Sequence, residues 1–165
     1  MRKILLMVAP LLAIASPALA NPQDFLNKAM MGDNSETALG KLAASRAANP
    51  GVRQYGAMLA TDHAKGRREI LPMVKRYRLP STTALAPAAD AERYKLGRLH
   101  GAAFDHEFVR YMIQDHTDDI SDFRGELKSG DPAEVRAIAQ RTLPVLQKHL
   151  KTAQALQAKQ SARRG

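Results

Sequence analysis

Residues 105–132 read DHEFVRYMIQDHTDDISDFRGELKSGDP, and this stretch decides the fold class. Val109, Met112, Ile113, Ile120, Phe123 and Leu127 recur at spacings of three, four and seven, the period of a helix with one buried stripe. Asp105 stands where an N-cap is needed, which predicts a helix over 105–127. Ser129-Gly130-Asp131-Pro132 then stops it and starts another, with proline in the first helical turn.

The same period extends in both directions. After the break, Val135, Ile138, Leu146, Leu150, Ala153 and Leu156 predict a helix from about 132 to 160, with Pro144 as a kink. Towards the N-terminus, Val52, Tyr55, Leu59, Ile70, Val74 and Tyr77 mark a helix over 51–77, with a second kink at Pro72. Phe25, Ala29, Leu39, Ala43 and Ala47 mark another over 23–48, with a bend expected at residues 32–34. Asn49-Pro50-Gly51 joins these two as a tight turn. Residues 79–87 (LPSTTALAP) form a loop and residues 90–99 a short helix, which together make a long connection. Two tight hairpins joined by one long connection predict an all-α, ferritin-like four-helix bundle with a crossover. An up-down-up-down bundle, with residues 90–99 extending the third helix, is the alternative.

The chain begins differently. Arg2 and Lys3 precede an apolar run from Ile4 to Ala15, and Ala18-Leu19-Ala20 has the small-x-small form that a signal peptidase accepts. We read residues 1–20 as a signal peptide cleaved after Ala20, residues 21–158 as the bundle and residues 159–165 as a basic tail. Export, most simply to a bacterial periplasm, follows. Arg2 and Lys3 account for two units of the formal charge of +9. The remaining excess on an exported chain points to anionic envelope surfaces rather than to nucleic acid. No later segment is apolar enough for a transmembrane span. The absence of cysteine excludes disulfides, thiolate metal sites, cysteine nucleophiles and a lipoprotein anchor.

The buried stripes are interrupted once each by a polar residue: Glu36, His63, His116 and His149. Glu36 lies 14 residues before Pro50 and His63 lies 13 after it, while His116 lies 14 before Gly130. At the helical rise this places all three roughly 20 Å from a hairpin, at mid-bundle, with His149 about 7 Å off that level. Two readings stay open. In the first, the layer is a set of mutually satisfied core polar groups, with Glu36 accepting from His63 and the other histidines bonded to neighbours such as Asp115 or Tyr111. In the second, imidazole and carboxylate bind copper, iron or zinc. No Glu-x-x-His pair occurs, so a di-iron carboxylate centre and ferroxidase activity are not expected.

Other features are read as structural. The dipeptides Asp62-His63, Asp105-His106 and Asp115-His116 place neighbours about 100° apart on a helix and are not chelating pairs. Asp115, Asp118, Asp119 and Asp122 make an acidic stripe, taken as a solvated face. Lys65, Arg67, Arg68, Lys75, Arg76 and Arg78 make a basic patch. His100 and His106 belong to the surface near the crossover, and Met58, Met73 and Met112 to the core. No nucleophile signature for Ser-His-Asp catalysis is present.

Phe25 with Ala29, Glu36 followed by Gly40-Lys41-Leu42-Ala43, Asp62-His63, Gly101 with Phe104-Asp105, His116, and Leu143-Pro144 with His149-Leu150 occur in order along nearly the whole mature chain. In these residues the chain resembles exported bacterial proteins known as a domain of unknown function, family number 4142. Members are often labelled outer-membrane proteins, and the resemblance implies a ferritin-like helical fold. Residues 104–116 (FDHEFVRYMIQDH) are also similar to the helix of an exported family that includes periplasmic copper binders, with Asp115 standing where that family has a histidine. That second resemblance implies Asp105, Met112 and His116 as copper ligands. The sequence therefore describes a soluble periplasmic helical bundle, stress- or envelope-associated and non-catalytic. Metal binding or buffering is the alternative, and an adaptor for anionic envelope components a third.

Overall fold

The computed structural model describes residues 22–129 and 131–162. The expected signal peptide, its cleavage site and the end of the basic tail lie outside the described residues. Five helices form: α1 (Pro22–Arg46), α2 (Pro50–Arg76), α3 (Pro87–Gly97), α4 (Gly101–Glu126) and α5 (Ala133–Ala162). The all-α expectation holds, with no strand among the described residues.

Local chemistry sets the helix ends. Asn49 caps α2, its Oδ1 accepting from Gly51 N at 2.8 Å, with Pro50 in the first turn where no amide donor is needed. Past its C-cap Tyr77, α2 is closed by Arg78, which takes the left-handed conformation at φ 54° while Leu79 N donates back to Val74 O at 2.9 Å. Pro72 and Pro144 lie inside helices that run through them.

α1 is helical through residues 32–34, the site of the expected bend. Three helix boundaries differ from the sequence reading, the first being α3, which runs over Pro87–Gly97 rather than 90–99. α4 begins at Gly101 rather than at Asp105, and its N-cap His100 makes no side-chain cap bond. α5 continues to Ala162, so residues 159–162 of the expected tail are helical, with Gln160 buried and donating to Asp105 O at 3.3 Å.

Residues 77–100, with α3 among them, return along α1 from the far end of α2 to the α1–α2 turn. Asn34 Nδ2 donates to Thr82 O (3.1 Å) and Ala84 O (3.0 Å), and Ser35 Oγ accepts from Ala86 N (2.9 Å). Further along, Arg46 donates to Gly97 O (3.1 Å) and Leu99 O (3.2 Å). α4 therefore starts beside the α1–α2 turn and runs parallel to α2, and α5 returns to that same end. This is the bundle with one long crossover; the up-down-up-down alternative is not formed.

Two apolar clusters fill the interior. Leu39, Val52, Tyr55, Leu59, Phe104, Phe108, Met112 and Ala153 pack near the α1–α2 turn. Leu26, Met30, Ile70, Val74, Ile120, Phe123, Val135 and Leu146 pack at the other end. On every main helix the polar residue of the stripe falls between members of the two clusters, so the core is split by a polar layer.

Candidate metal centre

Glu36 of α1, His63 of α2, His116 of α4 and His149 of α5 meet in that layer, each no more than 3% exposed. The ring centroids of His63, His116 and His149 stand 5.2, 5.3 and 5.8 Å apart. One nitrogen from each imidazole lies within 4.8 Å of the others, and a second group of the same spread joins Glu36, Asp115 and His116.

Each ring has one nitrogen held by an oxygen. His63 Nδ1 lies 3.0 Å from Asp33 Oδ1 and 2.9 Å from Glu36 Oε2. His116 Nδ1 donates to the Met112 carbonyl at 3.0 Å, and His149 Nε2 lies 2.9 Å from Asp62 Oδ2. The other nitrogens, His63 Nε2, His116 Nε2 and His149 Nδ1, are buried without a hydrogen-bond partner, as is Glu36 Oε1. A carbonyl acceptor at His116 Nδ1 makes that nitrogen the N–H, so Nε2 of the neutral ring carries a lone pair. It faces Glu36 Oε1 at 3.2 Å, one acceptor against another.

Burial dominates the titration behaviour. It pushes His116 down to about 4 and lowers His149. Burial also opposes charge on Glu36 and His63, but their mutual attraction outweighs it, holding Glu36 down to about 2 and His63 up to about 10. Asp33 is raised to about 6, Asp115 to about 8 and Asp119 to about 9, first by burial; the Glu36 charge adds to each. At neutral pH the metal-free centre is a Glu36 carboxylate against a His63 imidazolium, with two neutral imidazoles beside them.

Of the candidate residues from sequence, the structure brings together Glu36, His63, His116 and His149. Asp105 is elsewhere: its buried carboxylate accepts from Ala48 N (2.9 Å) and Asn49 N (2.8 Å), closing the α1–α2 turn instead of capping α4. Asp105→Ala is expected to cost about 2 kcal/mol, because it strips two backbone donors of a charged acceptor. Chemical denaturation should show that loss, and metal titration should show no change. Met112 packs in the cluster near the α1–α2 turn and presents its carbonyl to the centre.

Sequence reasoning missed the supporting carboxylates. Asp33 lies where a bend was expected, and Asp62 serves the histidine of another helix rather than its neighbour in sequence. The acidic stripe divides: Asp118 and Asp122 are exposed, whereas Asp115 and Asp119 turn partly inward towards Glu36. His116 and His149 bond to Met112 O and Asp62, not to Asp115 or Tyr111. In the basic patch, Arg67 is tied to Asn34 Oδ1 (2.6 Å) and Arg76 Nη2 lies 3.4 Å from Glu134 Oε1, so part of its charge is engaged.

The fold and this layer define a class: a helical bundle whose core holds a His/carboxylate cluster. The chain belongs to the family described as Domain of unknown function (DUF4142), whose profile matches residues 9–156. Two solved structures are similar. A DUF305 protein from Streptomyces coelicolor, inferred to be secreted, is 16% identical over 87% of this chain and 96% of its own, with a TM-score of 0.73. A DUF305 fragment from Deinococcus radiodurans is 17% identical over 87% of this chain and 99% of its own, with a TM-score of 0.75. At such identities the likeness shows the fold alone. No curated protein matches the chain. No helix among the described residues is long and apolar enough to cross a membrane.

Proposed function

We propose that this protein is an exported, soluble, non-catalytic bundle that binds one first-row divalent transition ion at Glu36, His63, His116 and His149. The observation that carries this reading is the set of three buried imidazoles. Each has one nitrogen anchored on an oxygen and the other unpartnered, with a carboxylate oxygen aimed at one of the free nitrogens. Metal-bound histidines are oriented in this way: the second nitrogen donates to a carboxylate or carbonyl, which sets the tautomer and turns the lone pair to the ion. Buried polar atoms normally find partners, and a cation would satisfy all four at once. Tetrahedral nitrogens at metal distances of about 2.0–2.1 Å stand about 3.3 Å apart, so the three imidazole nitrogens, within 4.8 Å of one another, need to close by about 1.5 Å at most.

The donor set selects among ions. Three imidazoles and a carboxylate without sulfur suit zinc, copper(II) or iron. The exported setting rests on the n-region, apolar run and Ala18-Leu19-Ala20 of the sequence, with the periplasm as the compartment and Ala20 as the cleavage point.

Titration of chelator-stripped protein with zinc or cobalt(II) tests the reading. One equivalent is expected to bind, with visible cobalt bands of a low-coordinate nitrogen/oxygen site. The His63→Ala, His116→Ala double variant should lose both while its helical circular dichroism persists. A wild-type protein that is folded and takes up no ion would leave the layer as a structural ion-pair network.

A further inference from the structure

We propose that, granted the metal-binding reading above, the ion reaches the centre through a small cavity between α1, α4 and α5, kept open by Gly32 and guarded by the Lys28–Asp122 ion pair. The cavity, about 40 Å³, is lined from the surface inwards by side chains of falling exposure. At the mouth, Lys28 Nζ of α1 and Asp122 Oδ2 of α4 stand 3.5 Å apart, with side chains 73% and 58% exposed. At the inner end lie Glu36 and His63, at 2% and 4%. Between them come the half-buried Asp119 and the buried Asp33, whose Oδ2 is without a partner.

This arrangement suits a small cation and little else. A space of that size holds about three waters, fewer than the full shell of a hydrated ion, so such an ion cannot pass intact. It must shed its shell at the mouth, where carboxyl oxygens at Asp122, Asp119 and Asp33 replace lost waters in turn. Lys28 repels a cation while its ammonium spans the opening, and it has to swing aside for loading.

Gly32, like Gly97 and Gly125, sits in a helix where packing does not require glycine, but it lines this cavity and they do not. Glycine within a helix costs backbone entropy and is normally retained for a reason. Gly66 has one, since a Cβ there would stand 2.8 Å from Asp33 Oδ1. A Cβ on Gly32 would meet nothing within 4 Å, yet the residue lines the cavity. Its missing side chain leaves the passage clear.

Stopped-flow mixing of the metal-free protein with cobalt(II) or zinc tests the route. Gly32→Leu is expected to slow loading at least tenfold, and to slow release into chelator equally, leaving the stoichiometry and dissociation constant unchanged. Lys28→Gln should load several-fold faster at low ionic strength, with the difference fading in high salt. Thermal melting of both variants verifies that they are folded; if Gly32→Leu is not, Gly32→Ala and Lys28→Gln carry the comparison. A wild-type protein that binds while Gly32→Leu loads at the wild-type rate would overturn the route alone. A wild-type protein that binds no ion would overturn the metal reading itself.

Discussion

Gly56→Val is expected to destabilise the protein by about 4 kcal/mol or more, beyond the usual overpacking range of about 1–3 kcal/mol. The reason is that nothing at the contact can rotate away. A Cβ on Gly56 would lie 2.7 Å from Gly40 O, 2.8 Å from Ala43 Cβ and 2.8 Å from Ala44 N. One on Gly40 would lie 2.6 Å from Gly56 O and 2.8 Å from Ala60 N. These are mostly backbone atoms of the facing helix, so any side chain must push α1 and α2 apart. Gly40→Val should behave alike. Urea denaturation of the metal-free proteins gives the difference, and a loss below about 1 kcal/mol would show that the two helices separate freely. Because α1 and α2 hold Glu36 against His63, the metal titration should weaken along with the fold, unlike the response at Asp105.

That close approach marks the limit of what the sequence made legible. Gly40 is visible only as part of a family motif, because a glycine inside a helical pattern signals a tight contact without naming the partner. The helices themselves were legible, since a buried stripe at period 3.6 is a property of each segment alone. So was the layer: counting residues from a turn gives height along a helix, and Glu36, His63 and His116 were placed level by that count. His149, the outlier by about 7 Å on the same count, still reaches the others. A pair of points on two helices fixes neither the tilt between them nor how far a long side chain leans.

The supporting carboxylates were hidden for a different reason. Asp33 bonds across to α2, Asp62 to α5 and Asp105 to the α1–α2 turn, and each contact depends on the rotation of one helix against another. Periodicity marks a face but not its counterpart. The acidic stripe failed as a unit because Asp115 and Asp119 sit one turn apart on the flank facing the centre, with Asp118 and Asp122 rotated outwards. The start of α4 and the end of α5 were misplaced by a few residues since the Asp105 carboxylate serves the α1–α2 turn rather than capping α4, and Gln160 packs back onto the Asp105 carbonyl.

Glu36→Gln is expected to cost the metal-free protein about 3 kcal/mol at pH 6, the lower part of the range for breaking a buried ion pair, because Asp33 still faces His63. The pH dependence identifies the cause. Glu36 is held near 2 against an ordinary 4.5, so its contribution is complete above pH 4.5 and is lost as the pH falls towards 2. His63 is raised to about 10 from 6.5, so its contribution is complete below pH 6.5 and is lost as the pH rises towards 10. The difference between wild type and variant should therefore be widest between about pH 4.5 and 6.5, narrowing on both sides. Five other groups around the pair set its size, and Asp33, raised to about 6 beside His63, titrates within the window itself. His116, pushed down to about 4, is mostly neutral in that window, and burial lowers His149 as well. Asp115 and Asp119, raised first by burial and then by the Glu36 charge, ionise at lower pH once that charge is gone. Their relief offsets part of the loss on the alkaline side, so the narrowing there should be the steeper. Denaturant titrations of both proteins in chelator between pH 4 and 10 measure this curve. A stability difference constant across that range would mean that Glu36 acts through packing and not through its charge on His63.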